Sequence, residues 1–127
     1  MNGLSDEVHR FLSLYIDSVE ELEVLLLMRR SPERSWTAEE MARELYSHPT
    51  SITRRFQRLL GSGLLRETDP GALQYAPRSV ELDRTVARVA DAYRERRVAV
   101  VSLIASKPIE NVKAFSDAFR LRKRREE

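Results

Sequence analysis

No cysteine occurs in the 127-residue chain, so disulfides, thiolate metal sites and thiol redox switches are excluded. Glycine is nearly as scarce, with Gly3, Gly61, Gly63 and Gly71 making up the whole complement. No glycine-rich phosphate loop or nucleophile elbow can be picked out of so few. Histidine is limited to His9 and His48. Asp6, Glu7 and His9 form only a loose group, and a metal site needs more ligands together. No apolar run approaches bilayer-spanning length, and residues 1–7 lack basic residues and are followed by no sustained apolar core of the signal-peptide kind. The expectation is a cytoplasmic protein that is not an enzyme, with no metal, no cofactor and no membrane partner.

What the chain does have is charge and helix-forming residues. It is 42% hydrophobic and 33% charged, the balance of a helix-rich globular protein rather than a disordered one. The length suits one domain with a core, or a small module with a dimerising extension. The net charge of +2 is modest, but it is unevenly placed. Residues 1–30 set Arg10, Arg29 and Arg30 against six acids, a net −3. Residues 48–63 hold Arg54, Arg55 and Arg58 with no acid, a net +3. Residues 107–127 also reach +3, mostly through the basic run from Arg120 to Arg125. That run either adds phosphate contacts or is a helix end, where cations are favoured.

Residues 37–76 organise the rest. Met41, Ala42 and Leu45 lie three and four apart, one face of a helix, and Thr37 with Glu40 has the spacing of a capping box. Ser47-His48-Pro49 interrupts that period, since proline cannot extend the helix before it. Pro49 suits the first turn of a second helix, whose buried face is Ile52, Phe56, Leu59 and Leu60, and Gly61 and Gly63 end it. Extended runs follow at 64–68 and 73–76, joined by Asp69-Pro70-Gly71, which predicts a hairpin with a loop longer than two residues. Helix, tight turn, helix and two-stranded wing is a winged helix-turn-helix: mainly α, with a small β-hairpin.

The run from Leu45 to Leu65 resembles the recognition segment of bacterial winged-helix transcriptional regulators. The likeness lies in Pro49 at the helix start, in Ile52, Phe56 and Leu59 as the buried face, and in the exit at Gly63, Leu64 and Leu65.

The flanks extend the pattern. Val8, Phe11, Leu12, Tyr15 and Ile16 have helical spacing, and Ser18 with Glu21 is a second capping-box pattern. From Val19 to Arg30 the helix is apolar over much of its circumference, as in an element sandwiched between others. Trp36 is expected in a short strand against the wing. Ser79 is expected to cap a helix running to about Ser106 through Leu82, Val86, Val89, Tyr93, Val100 and Leu103, with Arg96 and Arg97 interrupting its seam. Lys107-Pro108 would end it, before a last helix with Val112, Phe115, Ala118, Phe119 and Leu121. The chain therefore divides into an N-terminal dimerisation helix at 1–18, a winged helix-turn-helix at 19–78, and a C-terminal dimerisation segment at 79–127.

This element order is similar to that of the MarR-type regulators over nearly the whole chain. The resemblance implies a homodimer built from the terminal helices, with paired winged modules reading a pseudo-palindromic DNA site. Phe11, Tyr15, Val86, Val89, Tyr93, Val100, Leu103, Phe115 and Phe119 are the interface residues it points to. Some MarR-type proteins bind small aromatic ligands between dimer helices and winged module; here no residue singles out an effector.

The DNA candidates follow from the second helix. Thr50, Ser51, Thr53, Arg54, Gln57 and Arg58 lie opposite its apolar face, Arg55 lies at the boundary, and His48 sits at the start, able to cap the helix or touch a phosphate. Hydroxyls near a helix start can reach phosphates or base edges, arginine forks to guanine and glutamine pairs with adenine. MarR-type wings usually carry an acid-x-arginine pattern with the arginine near the tip. This hairpin has Arg66 at its base and only Gln74 as a polar reach. The alternative reading is a winged-helix interaction module whose terminal helices dock a signalling or transcription protein, without an operator of its own.

Overall fold

The computed structural model describes residues 3–106, and the expected last helix with Phe115, Phe119 and the basic tail lies outside them. The elements in order are α1 (Asp6–Tyr15), α2 (Val19–Arg30), β1 (Ser35–Thr37), α3 (Ala38–Leu45), α4 (Pro49–Gly61), β2 (Leu65–Asp69), β3 (Ala72–Tyr75), α5 (Val80–Glu95) and α6 (Arg97–Ala105). The fold is mainly helical, a winged helix-turn-helix with helices at both ends.

Helix starts are set by hydroxyl caps. Ser5, Ser18, Thr37 and Ser79 each accept a hydrogen bond from the backbone N–H three residues on. At α3 the capping box is complete, with the Glu40 carboxylate accepting from Thr37 N–H at 2.9 Å. At α2 it is not. Glu21 accepts instead from Asp17 N–H at 2.7 Å, one residue further back.

The sheet has the order β1-β3-β2, all antiparallel, so Trp36 does pair with the wing, opposite Leu73. The wing loop is shorter than the sequence suggested. Pro70 and Gly71 alone link Asp69 to its partner Ala72, and the additional residue is absorbed as a bulge at Thr68 between Glu67 and Asp69. Gly71, at φ +80°, supplies the left-handed conformation that this turn requires.

The expected helix from Val80 to Ser106 is broken. At Arg96 the backbone leaves the helical region (φ −134°, ψ 53°), and α6 packs on α1 and α2 as well as on α5. The reason is burial: Val100 and Ile104 join the same core as Leu12, Ile16 and Leu25. Buried residues from every helix and strand form one continuous cluster, including Met41, Ile52, Phe56, Leu59, Trp36, Leu73, Val86 and Val89. The Tyr75 hydroxyl donates to Asp83 at 2.6 Å and ties the wing base to α5; burial and that carboxylate push the phenol above its ordinary range.

Candidate nucleic-acid interface

The site grows out of the α3–α4 corner. α3 ends at Tyr46, which adopts the left-handed conformation (φ 53°, ψ 45°), and Ser47 N–H returns to Ala42 C=O at 2.8 Å. His48 then takes the N-cap of α4: its Nδ1 accepts from Thr50 N–H at 3.2 Å, and Pro49 opens the helix as expected. At the far end Gly63 is left-handed, Leu64 N–H reaches Leu59 C=O and Gly63 N–H reaches Leu60 C=O, both at 3.1 Å. This double bond pattern closes the helix and turns the chain into the wing.

α4 is held from behind by two adjacent carboxylates on α2. Glu20 accepts hydrogen bonds from the hydroxyls of Ser47 and Ser51 and from Arg55 Nε at 3.3 Å. Burial alone would raise its pKa, but these donors outweigh it and bring the carboxyl below the ordinary 4.5. Glu21 is fully buried and pairs with Arg58 Nε at 2.8 Å. There burial dominates, and the carboxyl is raised despite the Asp17 N–H and Arg58.

This divides the expected DNA-contacting residues into two sets. Ser51, Arg55 and Arg58 face α2 and are engaged within the protomer. The sequence grouped these three with the DNA-facing residues; in the protomer their donors go to α2, because desolvated acids on a neighbouring helix attract the nearest donors. Thr50, Thr53, Arg54 and Gln57 are exposed and lie along one stripe of the helix. Among the described residues, Arg54 is the α4 arginine without an ion pair, so the local cationic excess is smaller than the sequence count implies. Thr53 spends its hydroxyl on Pro49 C=O at 3.0 Å.

On the wing, Arg66 and Gln74 sit opposite each other and pair across the ladder, Nε to Oε1, at 3.0 Å. Neither reaches the turn. A groove of about 290 Å3 separates wing from α4, with Phe56, Leu60 and Leu73 as its apolar lining and Glu39 and Glu67 on its rim.

The expected dimer residues fare unequally. Phe11, Val86, Val89 and Val100 are buried in the protomer's own core. Their apolar faces were needed to close α1, α5 and α6 around α2. Tyr15, Tyr93 and Leu103 remain half-buried. Exposed instead are Leu14 at 67% and Val98 at 80%. Sequence reasoning missed the Glu20–Glu21 clamp, although two acids beside an apolar helix face were a visible hint. Tyr46 has the aromatic side chain of a packing residue, and its exposure depends on the left-handed turn.

Among the described residues no group of three or more His, Asp or Glu side chains is placed to hold a metal ion, and no helix is long and apolar enough to cross a membrane. No family profile matches the sequence, and no curated protein matches it. Comparison with solved structures finds a MarR family transcriptional regulator from Streptomyces coelicolor, at 24% identity and a TM-score of 0.54. The match covers 91% of this chain and 80% of that one. The chain therefore has the winged helix-turn-helix fold of a MarR family transcriptional regulator.

Proposed function

We propose that this protein is a DNA-binding transcriptional regulator, acting as a homodimer on a pseudo-palindromic site with α4 in the major groove. The observation that carries this reading is the outward stripe of α4: Thr50, Thr53, Arg54 and Gln57 are exposed together, with no acid among them. An α-helix fits the major groove, arginine and glutamine offer two-pronged contacts to guanine and adenine, and threonine serves phosphate or thymine methyl. Ser51, Arg55 and Arg58 hold the helix in place for that contact rather than making it. Exposed apolar side chains on the end helices, Leu14 and Val98, support pairing with a second copy.

The test is capture of duplex from a pool of genomic fragments across a salt series, by the wild type and by Arg54→Ala. An enriched inverted repeat, with half-sites about one helical turn apart (~34 Å), supports a dimeric reader. With one unpaired arginine per α4, the salt dependence is expected to be shallow for a DNA-binding protein. Solution mass by light scattering at twice the protomer value checks the dimer. A wing with no cation at its turn favours a second reading, a docking module for another protein. No enriched duplex, together with unchanged partner binding by Arg54→Ala, would select it.

A further inference from the structure

Among the described residues Tyr46 is the most exposed of the large hydrophobic side chains, at 98%, and it stands in a backbone conformation that disfavours it. Left-handed residues at helix ends are usually glycine or asparagine, because a Cβ crowds the following carbonyl. A bulky residue there is an outlier, and an exposed aromatic ring gains nothing from the protomer in return. Both disadvantages fall on one residue at the corner that leads into α4.

Through the turn, exposed and half-buried residues alternate: Tyr46, His48 and Thr50 are exposed, while Leu45, Ser47 and Pro49 are half-buried. Tyr46 thus stands exposed with His48 and Thr50 where the chain turns into α4, the helix that presents Thr53, Arg54 and Gln57. Ser47 is bonded to Glu20, which ties the corner to α2. Exposed Arg43 and Glu44 cancel locally, leaving a neutral spot beside the start of the 13-residue α4.

Resting on the DNA reading above, we propose that Tyr46 is a contact to the sugar-phosphate backbone at the edge of the site that α4 enters. Its hydroxyl donates to a phosphate oxygen and its ring covers the adjoining sugar. Tyrosine is among the side chains that make such contacts, which position a protein on the duplex without reading its sequence.

The experiment measures duplex affinity at two salt concentrations and the unfolding midpoint for wild type, Tyr46→Phe and Tyr46→Gly. The enriched genomic duplex serves as the probe. Glycine removes the contact while relieving the left-handed backbone, so the two readouts separate. The expected result is about tenfold weaker binding for Tyr46→Gly, by the same factor at both salts because no charge is lost, with an unfolding midpoint equal to or above the wild type's. Tyr46→Phe is expected to lose about threefold. Wild-type affinity in Tyr46→Gly overturns the assignment and leaves the DNA reading standing. A lowered midpoint accompanying the loss overturns it too, since the residue would then be structural. Failure of wild type to bind any duplex overturns both.

Discussion

Arg54 and Arg58 lie one helical turn apart on α4, and the sequence offers no reason to treat them differently. Arg54 is exposed and unpaired among the described residues, whereas Arg58 folds back onto Glu21, a carboxylate with no exposure at all. Arg55, between them, is drawn to Glu20. One helix thus carries a guanidinium poised for a partner outside and two that hold the helix on its scaffold. A cationic count on a recognition helix overstates its pull on DNA when the helix behind it is acidic.

The strongest way to break this contrast is to truncate each arginine in turn. Arg58→Ala strands the buried Glu21 carboxylate and should destabilise the fold by about 3 kcal/mol in urea denaturation. Arg54→Ala should leave the unfolding midpoint unchanged within about 0.5 kcal/mol. Its loss appears in DNA binding instead, at about 2 kcal/mol in a titration. Equal destabilisation by the two would dissolve the distinction.

Behind them, Ser51→Ala removes one donor from Glu20 and should cost about 1 kcal/mol of stability, measured the same way. The smallest effect is expected at the wing, where Arg66→Ala breaks an exposed cross-strand pair and should shift stability by less than about 0.5 kcal/mol. A large loss of DNA affinity in that variant would show that the wing contributes more than its pairing with Gln74 suggests.

The two carboxylates should also differ in their response to pH. Glu20 titrates below 4.5 in the fold, so its contribution is present above pH 4.5 and is lost as pH falls through the folded value. Glu21 titrates above 4.5 in the fold, so its contribution is complete below pH 4.5 and is lost as pH rises through its raised value. Denaturation series over pH 3 to 8, as ~1-unit steps, should show Glu20→Gln flattening the loss on the acid side and Glu21→Gln flattening the fall in stability above 4.5. Identical profiles for both variants would contradict the opposite environments.

Much of the fold was legible locally. Thr37 and Glu40, Pro49, and Gly63 act through bonds or backbone preferences among near neighbours, so their spacing was enough to place α3, α4 and the exit to the wing. The wing bulge at Thr68 was not, because the turn residues alone do not say which strand absorbs a surplus residue. The break at Arg96 was half visible as an interrupted seam. Its geometry needed the core, since only burial of Val100 and Ile104 against α1 and α2 makes a bend preferable to a straight helix.

The sequence by itself determined the helix-turn-helix with its wing, through caps, periodicity and turn residues acting within a few positions. Tertiary structure decided which of the polar residues on α4 are free. Glu20 and Glu21 lie 27 to 37 residues before Ser47, Ser51, Arg55 and Arg58, and only packing of α2 against α4 brings them within hydrogen-bond reach. Burial makes an acid demand a partner, and it claims whichever donor the fold places nearest.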